Sequence, residues 1–284
     1  MDFFDWLAIA IGIKHTNRQC KQIFTTPESQ YNHAIILERQ QNFDEAAKYY
    51  KKSAEQGLKE AQAKMGVLYS EGRGVKQSDA ESFKWHLKAA EQGEVLSQLI
   101  VGLHYRHGFG VSKNLFESLK WCKKAAEQGN DQGQYELGLC YYQGLGVEID
   151  YKEAFKWFLK AAEQGHAKAQ CYVGDSYQDG EGVEENIEKA IEWYQKAANQ
   201  GAPEGKSSLG LCYRSGIGFE QDYNMSFKLF REAALKDEPM AQYLMGQAYE
   251  NGEGVEIDRD EAINWYKLSA SNGYSLAQTA LENI

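Results

Sequence analysis

DYKEAFKWFLKAAEQG (Asp150–Gly165) and AQCYVGDSYQDGEGV (Ala169–Val183) follow one another in this 284-residue chain, and their echoes elsewhere decide its fold. The closing AEQG of the first stretch stands also at Ala54–Gly57, Ala90–Gly93 and Ala126–Gly129. It continues in altered form as ANQG (Ala198–Gly201), ALKD (Ala234–Asp237) and ASNG (Ala270–Gly273), always at a step of 36 residues. A Gly-x-Gly pair keeps the same step at Gly72/Gly74, Gly108/Gly110, Gly144/Gly146, Gly180/Gly182, Gly216/Gly218 and Gly252/Gly254. A Tyr precedes each pair by three positions, from Tyr69 to Tyr249, and Trp marks the second half at Trp85, Trp121, Trp157, Trp193 and Trp265, with Leu229 the exception. Self-similarity at a fixed period of this size is the signature of a repeat array.

Each unit reads as two helices. In 133–141, Leu137, Gly138 and Tyr141 share a face at helical spacing, as do Ala154, Phe155, Phe158 and Ala161 in 151–162. The Gly-x-Gly between them suits a tight reversal with positive φ, and Gly165 falls just past the second helix, at the usual C′ position. A glycine column inside the first helix (Gly66, Gly102, Gly138, Gly174, Gly210, Gly246) runs against helix propensity by about 1 kcal/mol at each position. Two backbones packed too closely for a side chain would explain it, with the small column Ser82, Ser118, Ala154, Ala190, Ser226 and Ala262 in support. Pro27, Pro203 and Pro239 each lie seven residues before a small position (Ala34, Gly210, Gly246), which puts all three in the first turn of a first helix.

Composition narrows the function classes. The chain carries 27 Gly against 3 Pro, and the repeat absorbs nearly all of the glycines. Lys and Arg number 31 against 41 Asp and Glu, a net charge of −10, with no basic run for phosphate neutralisation. Nucleic acid and anionic membrane surfaces are therefore not the expected partners. Five cysteines (Cys20, Cys122, Cys140, Cys171, Cys212), odd in number and without CxxC, argue against a disulfide framework and a thiolate zinc site. A reducing, cytoplasmic setting is expected. Residues 1–13 are apolar but carry Asp2 and Asp5, lack a basic leader region and are too short to span a bilayer. They read as a retained amphipathic helix within a capping segment, 1–26. A periplasmic chain, or one attached to a membrane through Phe3–Ile13, is the alternative.

The pattern A-Q-x-x-[LV]-G-x-x-Y-x-x-G-x-G-V followed by D-x-x-x-A-x-x-W-x-x-K-A-A-E-Q-G resembles the Sel-1-like repeat family, a branch of the tetratricopeptide class. The resemblance covers roughly Pro27 to Ile284. It departs at the start: Ala34 to Ala46 is 12 residues where Gly66 to Ser82 is 16, so residues 27–60 look like an ordinary tetratricopeptide hairpin with Asn42-Phe-Asp as its turn. Six 36-residue repeats then fill 61–273, and 274–284 supplies a capping helix. The implied architecture is all-α, a right-handed superhelical solenoid of stacked hairpins, expected to be monomeric.

The candidates for chemistry each have a structural explanation. His104 and His107 at i, i+3 could ligate a metal, yet His104 shares its column with Leu68, Cys140, Ser176, Cys212 and Ala248, a packing column. A catalytic cysteine needs a base and an orienting group, and no column nominates them for Cys140 or Cys212. The Gly-x-Gly pairs lack the preceding strand and the following Lys-Ser/Thr of a phosphate loop. Glu55, Glu91, Glu127 and Glu163 occur singly, one to a repeat, and do not converge as acid–base catalysis requires. No catalytic residue, cofactor site or metal site is expected. The paired cysteines of the family's cysteine-rich branch are absent, so the β-lactam-related activity of that branch is not implied; a hydrolase of that kind is the remotest alternative.

By resemblance to tetratricopeptide arrays, the concave face is lined by first-helix columns lying three before and one, four and five after the small position. These columns hold Leu99, Leu103, Arg106, His107, Tyr135, Leu139, Tyr142, Asp175, Asp179, Arg214 and Tyr243. Tyr and Arg are typical anchors of binding hot spots. The expected function is a non-catalytic scaffold or adaptor holding another protein or peptide in this groove, the immunity-type proteins that neutralise bacterial effectors being one known role in the family. Two other readings stay open. Some of the leucines pack between neighbouring first helices instead, or the chain is a membrane-associated assembly factor.

Overall fold

A computed structural model of the protein describes residues 25–284. The N-terminal helix and all but the last two residues of the capping segment expected over 1–26 lie outside them. Fifteen α-helices and no strand are found among the described residues, as the repeat pattern predicts. The chain forms two compact units, divided after Asn130. The first holds α1 (Pro27–Arg39), α2 (Phe43–Glu55), α3 (Lys59–Glu71), α4 (Asp79–Glu91), α5 (Val95–His107) and α6 (Leu115–Glu127). The second holds α7 (Asp131–Gln143), α8 (Tyr151–Glu163), α9 (Ala167–Asp179), α10 (Ile187–Asn199), α11 (Pro203–Ser215), α12 (Tyr223–Ala234), α13 (Pro239–Asn251), α14 (Arg259–Ser271) and α15 (Ser275–Asn283). Within each unit, helices pair as hairpins, and each second helix packs on the first helix of the next repeat. In the second unit the first helices α9, α11 and α13 also touch in succession. The lone α15 packs on α14.

The boundaries follow from local chemistry. Each second helix from α4 to α14 starts at a Ser, Asn or Asp cap: Ser78, Asn114, Asp150, Asn186, Asp222 or Asp258. The side chain accepts from an N–H of the first turn. The cap's own N–H donates across the loop to the carbonyl of the repeat's Tyr, as in Asp150 to Tyr141 at 3.0 Å and Asn186 to Tyr177 at 2.7 Å. Gly180 ends α9 with φ +72°, and Gly165 follows α8 with φ +96°, conformations that favour glycine. Asp237 takes the same left-handed place at φ +59°, which accounts for the tetrad's drift to ALKD. All three prolines sit at the N1 or N2 position of α1, α11 and α13.

The glycine column has a different cause from the close backbone approach expected. A Cβ on Gly138 would stand 2.5 Å from Cδ1 of Phe158, and Gly174, Gly210 and Gly246 meet the rings of Tyr194, Phe230 and Tyr266 in the same way. Those four rings are essentially inaccessible. The helix thus forgoes a methyl group so that a large second-helix ring can lie flat on its backbone. The position takes His86 opposite Gly66 and Cys122 opposite Gly102, and at Gly102 partner backbone approaches as well, Cys122 N at 3.2 Å and Ser118 O at 3.3 Å. Ala161 and Ala162 of α8, Ala197 and Ala198 of α10, and their equivalents are buried where the next first helix crosses. At that crossing stand Ala169, Gly205 and Ala241; a Cβ on Gly205 would meet that of Ala197 at 2.7 Å.

The Gln of AEQG, not its Glu, joins the repeats. Gln92 Nε2 donates to Gln62 Oε1 at 2.7 Å, while Gln62 Nε2 donates to the Ala54 carbonyl of the preceding hairpin at 3.1 Å. The same relay runs from Gln200 through Gln170 to Ala162 and from Asn272 through Gln242 to Ala234. Gln62, Gln170 and Gln242 are buried, so each relay satisfies polar groups that burial would otherwise penalise. The Trp column carries a second regularity. Lys88, Lys124, Lys160 and Lys196 each lay the ammonium 3.7–4.2 Å above the ring three residues earlier, a cation–π contact.

Candidate functional site

Once the columns used for stacking are set aside, the first-helix face remains, and each unit presents its own portion. In the first unit Leu99 is buried, 7% exposed. Leu103 and Arg106 are half-buried, and His107 is exposed with its ring stacked on Phe109 at 5.3 Å. His104, its supposed metal partner, is buried, with Nδ1 bound to the Phe109 carbonyl at 2.6 Å. No cluster of three or more metal-ligating side chains occurs among the described residues.

In the second unit Tyr135 and Leu139 are each 9% exposed. Tyr135 stacks on His166 at 4.6 Å and lies 5.8 Å from Tyr172. Leu99, Tyr135 and Leu139 thus spend most of their surface on packing and leave little to a partner. Tyr142 is half-buried, its ring edge-on to Tyr151 at 5.4 Å and to Tyr172 at 5.6 Å. Tyr172 in turn stacks on Phe158 at 4.6 Å. Burial, with Glu181 and Asp175 nearby, pushes the Tyr142 hydroxyl up to about 12. Tyr243 is half-buried and accepts from Gln247 at 2.9 Å.

The charged members differ sharply. Arg214 is held at 2.8 Å by Glu253, with Gln247 accepting a further hydrogen bond at 2.9 Å. It clasps α11 to the following repeat and is neutralised there. Lys168 pairs with Glu204 at 3.3 Å. Asp175 has no such cation. It is half-buried in a column that otherwise holds Ile35, Val67, Leu103, Leu139, Leu211 and Gln247. Its one strong partner is the Tyr194 hydroxyl at 2.8 Å. Burial pushes its carboxyl up to about 6; the Tyr194 bond opposes the rise, while the carboxylates of Asp179 and Glu181 add to it. Asp179 is exposed and touches only Gln178, at 3.4 Å. The thiols of Cys171 and Cys212 are buried, and burial raises both, that of Cys212 to about 11. That is the opposite of an activated nucleophile.

Sequence reasoning missed Tyr172 and Glu181. Tyr172 stands one position outside the columns taken as lining, and Glu181 is the middle residue of a Gly-x-Gly read only as a turn. It missed a charge asymmetry as well. Residues 131–284 hold 13 Lys and Arg against 26 Asp and Glu, whereas residues 25–130 hold 15 against 13.

The Sel1 repeat family model matches residues 27–58, 59–94, 95–130, 131–166, 167–201, 203–238 and 239–274. The chain belongs to the Sel1 repeat family. The match takes in the short first hairpin, whose turn lacks the glycine pair. Among solved structures, a Sel1 repeat protein from Oxalobacter formigenes is 30% identical with a TM-score of 0.79, covering 84% of this chain and 96% of its own. A protective antigen of uropathogenic Escherichia coli with an SLR fold is 33% identical, TM-score 0.74, over 90% of this chain. This chain spans 56% of that antigen's length. An immunity protein from Pseudomonas aeruginosa, 17% identical with a TM-score of 0.50, covers 75% of this chain and 81% of its own and shares the fold. No curated protein matches the chain.

Proposed function

We propose that this Sel1 array is a non-catalytic scaffold that holds a partner protein or peptide against its first-helix face. One observation carries the reading. The glycine, Gln and Trp columns are consumed in stacking, whereas the columns around Tyr142 and Arg106 change from repeat to repeat and keep part of their surface open. In a repeat array the variable exposed positions are the ones available for recognition. Tyr and Arg are among the residue types that dominate binding hot spots. The raised thiols, the neutralised Arg214 and the packing role of His104 support a non-catalytic reading. An immunity-type role is the specific form we favour within this reading, supported by the fold shared with an immunity protein from Pseudomonas aeruginosa. A cytoplasmic setting accompanies the reading, supported by cysteines without a pairing pattern, and cell fractionation tests it.

Cross-linking at native expression, followed by co-purification, tests the function. Partner cross-links should fall on α5, α7 and α9, and Arg106→Ala/Tyr142→Ala should lose the partner while keeping the helical signal. Unchanged recovery, or cross-links confined to second helices, would overturn it.

A further inference from the structure

We infer that the α7–α9 face of the second unit docks a basic segment of the partner, with an arginine or lysine side chain seated between the Tyr142 and Tyr172 rings and the carboxylates of Asp175, Asp179 and Glu181. The inference rests on the scaffold reading and adds the chemistry of the ligand. Three features of the face converge on it. Its floor is aromatic, with Tyr142 edge-on to Tyr172 and half open to solvent, and ring faces attract cations. Its rim is acidic and uncompensated. None of Asp175, Asp179 and Glu181 has an ion pair, while Lys168 at the start of α9 and Arg214 of α11 are taken up by Glu204 and Glu253. The surrounding unit carries twice as many acidic as basic side chains, a field that speeds encounter with a basic ligand and repels an acidic one.

Asp175 is the most telling member. Its place in the repeat belongs to Leu, Ile or Val at five other positions. A half-buried carboxylate there gains one hydroxyl and no counter-ion, an arrangement that an incoming guanidinium completes. The groups facing Asp175 are Tyr142, Cys171, Tyr172, Gln178, Asp179, Glu181, Tyr194 and Cys212. Not one is a cation. A bound arginine therefore favours the ionised form of Asp175, and by linkage binding strengthens as pH rises from 5 to 7.

The test uses the full chain and fluorescently labelled nona-arginine, with nona-glutamate as the contrast. Binding of nona-arginine should weaken on going from 50 to 500 mM salt and strengthen on going from pH 5 to 7. Asp175→Asn/Asp179→Asn/Glu181→Gln should weaken it by about tenfold, roughly 1.4 kcal/mol. Glu184→Gln/Glu188→Gln/Glu192→Gln removes the same charge from exposed positions away from this face and should change it by less than about twofold. Tyr142→Phe should bind like the parent, and Tyr142→Ala should bind more weakly. Equal weakening by the two triple variants, equal binding of nona-glutamate, or no binding at all overturns the proposal. So does self-association of the chain that the first triple variant abolishes, which would make a second copy the occupant. Failure with nona-arginine while partner cross-links still fall on α7 and α9 defeats the basic ligand alone. Loss of those cross-links from the parent chain defeats the scaffold reading.

Discussion

His86 and Ser97 form a polar pair where other repeats place apolar partners. His86 Nδ1 meets Ser97 Oγ at 3.0 Å and both side chains are buried. The corresponding pairs are Phe158 with Ala169 and Phe230 with Ala241. Burial, helped by His104, holds His86 down to about 4. A base with a lowered native pKa resists protonation that the unfolded chain accepts, so stability should fall as pH drops from about 6.5 to 4. His86→Phe alone leaves Ser97 without its partner, at a cost of about 1–3 kcal/mol. His86→Phe/Ser97→Ala should recover at least about 1 kcal/mol of that and flatten the acid limb in urea titrations. An unchanged acid limb would contradict the assignment. Asp175 acts in the opposite sense: its raised native pKa means stability declines as pH rises from about 4 to 6. Asp175→Asn should therefore match the parent at pH 3.5 and exceed it by about 1–2 kcal/mol at pH 7.5, the full shift being discounted for partial exposure. Equal stability at both pH values would show that the carboxyl is not strained. Neither effect is legible in the sequence, where His86 is an irregular letter in a regular column and Asp175 a groove candidate whose burial only the packing reveals.

At the scale of an element, the helical hairpin and its punctuation were legible because they depend on local chemistry. Prolines open first helices, Gly or Asp closes second helices with positive φ, and the 36-residue step leaves one consistent register. The reason for the glycine column was not legible, because the residue it faces lies 20 positions away. Gly138→Ala measures that contact. Helix propensity alone favours Ala by about 1 kcal/mol, but the methyl collides with the buried Phe158 ring. Overpacking of this kind costs about 1–3 kcal/mol, and a net loss is expected in denaturant unfolding. Gly138→Ala/Phe158→Leu should recover part of it. Stabilisation by the single change would show that the ring yields freely. The AEQG tetrad was legible as a boundary, yet its working member was not: the relay through Gln62, Gln170 and Gln242 needs two helices and a neighbouring repeat before it exists.

Over the whole molecule, stability is a sum of hairpins and their neighbour contacts, so damage at an end stays local. The hairpin α13–α14 packs on α12 on one side and on α15 on the other, where Ala277 is fully buried. Removing residues 275–284 should speed hydrogen exchange in 259–271 while leaving 167–199 unchanged. Uniform acceleration would imply a single cooperative core. The sequence showed an all-α repeat array with variable first-helix columns, but not which members of those columns stay open. Leu99, Tyr135 and Leu139 turned inward, Arg214 met its own carboxylate, and Tyr142 with Asp175, Asp179 and Glu181 stayed accessible. That division depends on tertiary packing, which a column count does not contain. The central claim is that partners bind the first-helix face. Hydrogen-exchange mass spectrometry of the full chain, free and saturated with its co-purified partner, tests it most directly. Slowed exchange should concentrate in 95–107, 131–143 and 167–179 and spare 115–127, 151–163 and 187–199. Protection confined to the second helices, or absent altogether, would contradict the account.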